Sequence, residues 1–224
     1  MTETGVVLLS GGLDSFVSIE ASRGICDIKL ALTFDYGQRA LDDEILASGE
    51  IARFYKIEHR IIKLPFLSEI TKNALTDDKK NLDFSKLDND SAKAVWVPNR
   101  NGLFLNIAAS YADSYGFDYI IIGANKEEAQ TFPDNGEEFL SRAAALFEYS
   151  TLKKPQVLAP LKGMEKFEII NFAVKNDVPL EYLKSCYNSK GQTGMKHCGK
   201  CESCKRLRAA ILKSVNKDLL KLFF

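Results

Sequence analysis

The chain has 224 residues, with thirty Lys and Arg balanced by thirty Asp and Glu, so its formal net charge at neutral pH is zero. A neutral chain has no net field drawing it to polyanions, so neither nucleic acid nor a membrane surface is an expected partner. No stretch approaches the roughly 18 uninterrupted apolar residues of a membrane span, and no basic segment leads into an apolar run at the N-terminus, so a cytoplasmic location is expected.

The first apolar run, Val6–Leu9, reads as a buried strand and leads into Ser10-Gly11-Gly12-Leu13-Asp14-Ser15, which opens a helical stretch from Leu13 to Arg23. A strand ending in glycines at a helix start suits a phosphate, because bare N–H groups can approach an anion beside the positive end of the helix dipole. No lysine follows these glycines, which excludes a Walker loop, and G-x-G-x-x-G is absent, which excludes a dinucleotide fingerprint. What remains resembles the PP-loop of ATP pyrophosphatases, with an ordinary glycine-rich turn as the competing explanation.

Further strands are expected at Ile28–Phe34, His59–Leu64, Tyr119–Gly123 and Gln156–Leu158. Helices are expected at Leu41–Tyr55, Gly102–Tyr115, Glu137–Thr151 and Lys166–Asn176. The alternation predicts an α/β fold, a parallel sheet with helices on both faces and ligands beyond the carboxyl ends of the strands. The boundaries expected are 1–176 for the α/β domain and 177–224 for a small C-terminal metal-binding helical appendage. The polar stretch Leu75–Lys93 interrupts the rhythm and reads equally as a lid or a solvated insertion.

Candidate chemistry gathers at the strand ends. In Phe34-Asp35-Tyr36-Gly37-Gln38-Arg39, Asp35 is placed to meet a ribose or magnesium, and Tyr36 to stack on a base. In Val97-Pro98-Asn99-Arg100-Asn101-Gly102, Asn99 or Asn101 reads as a helix cap and Arg100 as an anion clamp. After Gly123, the stretch Ala124 to Asn135 reads as a loop combining Glu127, Phe132 and Asp134, a pocket for a flat heterocycle. Lys166 opens a helix, where a cation is disfavoured unless an anion lies nearby.

Four of the five cysteines lie between Cys186 and Cys204. Cys198-x-x-Cys201-x-x-Cys204 with Cys186 supplies a closed set of four thiolates, so a structural zinc ion is expected, with an iron–sulfur cluster as the competitor. Apolar residues near the cluster are sparse, so metal is expected to substitute for a core there. His197 reads as a bystander or reserve ligand, and Cys26 as a small buried hydrophobe.

Together these motifs resemble the 7-cyano-7-deazaguanine synthase family, the nitrile-forming enzymes of the queuosine precursor pathway, within the adenine-nucleotide α-hydrolase-like fold. The resemblance runs nearly end to end and is most specific in Phe-Asp-Tyr-Gly-Gln-Arg and the cysteine tail. It implies nucleotide contacts from Leu8, Leu9, Ser10, Gly11, Gly12, Leu13, Asp14, Ser15, Phe16, Val17 and Ser18, joined by Phe34, Tyr36 and Gly123. It implies catalytic roles for Asp14, Arg100 and Lys166, and substrate contacts from Gln38, Arg39, Arg100, Glu127, Phe132 and Asp134. The implied partners are ATP with Mg2+, ammonia and 7-carboxy-7-deazaguanine; one Zn2+ per chain and a homodimer are expected. The family commonly has Gly-Tyr-Pro-Asp-Cys where this chain has Thr131-Phe132-Pro133-Asp134-Asn135, and a glycine where it has Asn99. Two other functions fit an ATP-binding chain of this kind: tRNA thiolation, which would need a basic surface and a sulfur-carrying cysteine pair, and a non-catalytic nucleotide-binding module.

Overall fold

The computed structural model describes residues 2–77, 79–80, 94–188 and 196–224. Most of the polar stretch expected to act as a lid or insertion lies outside the described residues, at 78 and 81–93.

Five parallel strands form one sheet in the order β3-β2-β1-β4-β5: β1 Thr4–Leu8, β2 Asp27–Asp35, β3 Glu58–Lys63, β4 Tyr119–Ile121 and β5 Gln156–Leu158. The longer described helices are α1 Leu13–Ser22, α2 Leu41–Tyr55, α4 Arg100–Tyr115, α6 Glu137–Ser150, α7 Lys166–Lys175 and α8 Glu202–Lys213. Three short ones, α3 Phe66–Ile70, α5 Lys126–Thr131 and α9 Leu219–Phe223, were not anticipated individually. No described helix is long and apolar enough to cross a membrane.

Strand side chains alternate between two cores, because successive Cβ atoms point to opposite faces. Val6, Leu8, Leu30, Leu32 and Ile120 pack on one face against Leu105, Ala108 and Ala112 of α4 and Phe147 of α6. Val7, Ala31 and Ile121 pack on the other against Phe16 and Val17 of α1, Ile51 of α2, and Ile169 and Ala173 of α7. With both faces covered, the strands need apolar residues at nearly every position, as the Val6–Leu9 run supplies. The C-terminal stretch packs into both cores: Leu207, Ile211 and Phe223 join the second, while Cys186, Cys201 and Cys204 join the first. The cysteines are thus embedded in apolar packing, contrary to the sparse surroundings expected from sequence. Sequence neighbours of the cluster are polar, but its spatial neighbours come from other elements.

The strand order reverses between β1, which connects outward to β2, and β4 on its other side. A crevice opens beyond the carboxyl ends of such a pair, where the flanking connections diverge to opposite faces.

Candidate active site

The loop after β1 occupies this crevice. Gly11 has φ of +78°, and a Cβ there would stand 2.7 Å from that of Ala47, so glycine is required both by conformation and by the approach of α2. Gly12 meets only Ser10 Oγ at 3.4 Å and Ser185 Cβ at 4.0 Å, leaving space on its outer side. Ser15 Oγ accepts from Ser10 N at 3.2 Å and donates to Gly12 O at 3.2 Å, holding the loop closed. Gly123, just beyond β4, presses against this turn: a Cβ there would lie 2.5 Å from Ser15 N.

The loop opens into a cavity of about 220 Å³ lined by Leu8, Leu9, Ser10, Gly12, Leu13, Asp14, Ser15, Phe34, Tyr36, Gln38, Arg39, Arg100, Gly123 and Lys166, all expected from sequence. Phe16, Val17 and Ser18 do not line it; they are buried beneath the loop, where Ser18 Oγ donates to Asp14 O at 2.8 Å. Gly11 shapes the turn from behind.

Lys166 crosses the cavity floor. Its Nζ lies 2.7 Å from Asp14 Oδ2 and 2.8 Å from Glu128 Oε1. These two carboxylates are the anions that a lysine at a helix N-terminus requires. Burial alone would push the Lys166 ammonium down, but Asp14 and Glu128 outweigh it and hold it above its ordinary value. Burial pushes Asp14 up against the opposing pull of Lys166, whereas for Glu128 the attraction to Lys166 outweighs burial and holds the carboxyl down. Asp14 Oδ1 and Asn125 Nδ2 are buried and close no hydrogen bond of good geometry, although the Asn125 amide is near enough to draw the Asp14 carboxyl down. A buried acceptor left open is costly, and a carboxylate oxygen is the type of ligand that a hydrated divalent cation takes.

The stretch after Gly123 is partly helical rather than a loop. Asn125 caps α5, its Oδ1 accepting from Glu128 N at 2.9 Å, which orients Glu128 toward Lys166. Glu127 points elsewhere: its Oε1 accepts from Lys166 N at 2.9 Å at the start of α7, and it lies off the cavity. Phe132 and Asp134 line a smaller adjoining pocket of about 50 Å³, which shares Arg100, Glu128, Asn135 and Tyr187 with the main one. Phe132 stacks parallel to Trp96 with centroids 5.9 Å apart. Burial pushes the Asp134 carboxyl up, with Arg100 opposing.

Neither asparagine beside Arg100 caps α4 with its side chain. Asn99 takes φ of +54° at the helix start, a left-handed conformation that glycine adopts freely and asparagine tolerates. Asn101 Nδ2 instead donates to Asp134 O at 3.2 Å, tying α4 to the smaller pocket. Arg100 Nη1 donates to Tyr36 OH at 3.3 Å. Asp35 Oδ1 accepts from Gly37 N at 3.2 Å and does not line the cavity.

Several cavity residues escaped the sequence reading. Glu44 projects from the first turn of α2, where it looks like ordinary helix-start acidity. Lys184 and Ser185 were overshadowed by the adjacent Cys186. Lys184 N donates to Gly11 O at 2.9 Å, and Lys184 Nζ lies 3.3 Å from Asp43 Oδ2.

The sulfur atoms of Cys186, Cys198, Cys201 and Cys204 lie within 4.8 Å of one another, and those of Cys198 and Cys204 are 3.8 Å apart. A tetrahedral ion with metal–sulfur bonds of about 2.3 Å sets its ligands roughly 3.8 Å apart, so the four thiols fit a single metal ion. Backbone N–H groups point at the sulfurs: Cys198 N at Cys186 Sγ and Cys201 N at Cys198 Sγ, 3.4 and 3.3 Å away. His197 does not join them; its Nε2 accepts from Ser185 N at 3.1 Å.

The family model described as "Queuosine biosynthesis protein QueC" matches residues 4–215. A 7-cyano-7-deazaguanine synthase from Pelotomaculum thermopropionicum is 45% identical over 92% of this chain and 95% of its own. One from Methanosarcina mazei is also 45% identical, over 96% of both chains. Among solved structures, NMN synthetase from Francisella tularensis superposes with a TM-score of 0.53 at 18% identity, covering 99% of this chain and 82% of its own. A 4-thiouridine synthetase in complex with RNA and ATP gives 0.51 at 18% identity, covering 98% of this chain and 52% of its own. These two support the fold alone. Matched along almost its entire length by a single family model and by relatives of one name, the chain belongs to the QueC family of queuosine biosynthesis proteins.

Proposed function

We propose that this protein is an ATP-dependent ligase that converts 7-carboxy-7-deazaguanine and ammonia to 7-cyano-7-deazaguanine. The observation that carries the reading is the Asp14–Lys166–Glu128 cluster beneath a glycine loop at the switch point of the sheet, in a chain of this family. The glycine loop, with Ser10 and Ser15, presents N–H and hydroxyl groups to the outer phosphates, and Asp14 would help hold the Mg2+ that neutralises them. A substrate carboxylate attacks the α-phosphorus and expels pyrophosphate, giving an acyl adenylate. Ammonia then displaces AMP to form the amide; a second ATP adenylates the amide oxygen with loss of pyrophosphate, and departure of that oxygen on AMP, with two protons lost from the nitrogen, leaves the nitrile. Lys166 and Arg100 offset the charge that develops in these steps, so catalysis is by positioning and electrostatics.

The smaller pocket suits the deazaguanine ring, with Asp134 accepting from its amidine-like edge beside Phe132, and Arg39 and Arg100 facing the main cavity; Gln38, whose amide is taken up by Phe34, Tyr36 and Glu44, shapes the wall instead of binding substrate. Glu127 is the weaker choice, since its carboxylate is engaged at α7. The four cysteines would hold one Zn2+, which supplies a structural cross-link; closely grouped sulfurs suit one ion better than a cluster whose ligands bind separate irons. Tyr149 and Leu152, 90% and 94% exposed, offer apolar area to a second copy in a homodimer. Against tRNA thiolation stands Cys26, buried at the opposite, amino-terminal edge of β2 with its thiol pushed up to about 11 by burial. Incubation with ATP, Mg2+, ammonium and the deazaguanine acid, followed by mass detection of the nitrile, tests the reading; adenylation without nitrile, or no acid-dependent ATP consumption, refutes it.

A further inference from the structure

We propose that Glu44 is the base of the amide-forming step, taking a proton from ammonium so that the freed nitrogen lone pair can attack the activated carboxyl. The proposal rests on the ligase reading above and assigns a role to a residue that neither motif nor phosphate chemistry accounts for.

The step needs such a group. Near neutrality ammonia in water is almost entirely ammonium, whose nitrogen has no lone pair. One proton must pass to a base before the N–C bond can form. The new bond uses the freed pair; the C–O bond to the adenylate then breaks, and AMP leaves with those electrons. A second proton leaves the nitrogen for solvent at the cavity mouth, and the base later returns the first to solvent. Lysine and arginine, both protonated, cannot serve as the acceptor.

Most carboxylates around the cavity are committed elsewhere. Asp14 and Glu128 both hold Lys166. Asp43 faces Lys184 at 3.3 Å. Asp134 lies in the adjoining pocket. Glu44 lines the main cavity and forms no ion pair of that kind among the described residues. Its Oε2 accepts from Gln38 Nε2 at 2.8 Å. Gln38 is itself fixed: its Oε1 accepts from Tyr36 N at 2.9 Å and its Nε2 also donates to Phe34 O at 2.8 Å. The Phe34–Gln38 turn therefore fixes the Glu44 carboxylate through Oε2 at the wall of the cavity.

The surrounding charges tune this carboxyl for proton exchange. Gln38 faces it from the turn after β2, Tyr36 from the same turn, Arg100 from α4, and Asp43 from its own helix. Burial pushes the Glu44 carboxyl up to about 7, with Gln38 and Arg100 opposing and Asp43 reinforcing. A base is most effective when its pKa lies near the working pH, since it then both accepts and releases a proton readily.

The test compares wild type with Glu44→Gln, which preserves shape but cannot take the proton, by measuring kcat/KM for ammonium from about pH 5.5 to about pH 9. For wild type, log kcat/KM should rise with unit slope and level off near the Glu44 value of about 7. Glu44→Gln should lose about 10²–10⁴-fold and lose the break, its remaining rate following free ammonia alone. Acid-dependent exchange of pyrophosphate into ATP, which stops before the nitrogen step, should stay within about threefold of wild type, while Glu44→Asp should retain the break at a reduced rate. Retention of the break and of near-wild-type ammonium use in Glu44→Gln overturns the proposal, as does an equal loss of pyrophosphate exchange. Absence of exchange in wild type instead fells the ligase reading beneath it, and this proposal with it.

Discussion

Replacing Lys166 with methionine tests whether the cluster under the glycine loop is held by charge. Methionine fills similar volume and leaves Asp14 and Glu128, whose oxygens lie 2.7 and 2.8 Å from Nζ, facing each other without a cation. Their side chains are only 14% and 27% exposed, so water compensates little. Across a separation of about 5 Å, at an effective dielectric of about 20, two carboxylates repel by about 3 kcal/mol. That agrees with the roughly 3–5 kcal/mol expected when one partner of a buried ion pair is removed. For a chain of this size each kcal/mol shifts the midpoint by about 2–4 °C, so Tm should fall by about 6–12 °C near pH 8. The pH dependence carries the sharper sign. Without the ammonium, both carboxyls titrate above their unfolded values, so the folded variant binds more protons than the unfolded chain. Its stability is then lost as pH rises and regained as pH falls. In wild type Glu128 is held below its ordinary value, so its contribution is lost on acidification. The wild-type Glu128 contribution is complete above its ordinary value of 4.5, so between about pH 8 and pH 5 it is the variant's own recovery that narrows the gap. Urea denaturation at about pH 5, 6.5 and 8 measures the gap. A gap below about 1 kcal/mol near pH 8, or one that widens on acidification, would refute the reasoning.

Gly12→Val should fold normally, since a Cβ there meets nothing closer than 3.4 Å, yet abolish ATP turnover by filling the phosphate space; full activity in the folded variant contradicts the assignment. Gly11→Ala should differ, losing about 1–3 kcal/mol in thermal unfolding because φ of +78° and the contact with Ala47 both resist a side chain. Cys201→Ser should lower metal content and Tm together, read by elemental analysis and calorimetry, because binding energy at such a site is folding energy; iron and sulfide without zinc in anaerobically purified protein would overturn the zinc assignment. Asp134→Asn should raise the apparent KM for the deazaguanine acid by about tenfold with ATP binding little changed, as loss of one charge-assisted hydrogen bond implies; unchanged constants would place base recognition nearer Arg39 and Arg100.

The local pattern of the chain determined the parallel sheet, the glycine turn and the grouping of four cysteines. Those features follow from short-range rules: apolar runs bury on two sides, Gly-Gly before a helix frees N–H groups, and Cys-x-x-Cys spacing brings sulfurs together. The order of the strands, and hence the crevice between β1 and β4, emerged only from long-range pairing. Partners distant in sequence were equally hidden. Lys166 finds Asp14 across 152 positions, and Lys184 N, far beyond the last strand, finds Gly11 O in the loop after the first. Glu127 and Glu128 show the limit most plainly, because they are chemically identical neighbours with identical local signals. The Asn125 cap starts a helix whose turn sends Glu128 to the cavity and Glu127 to the start of α7, so the direction each carboxylate takes was decided by how α5 meets the first residue of α7.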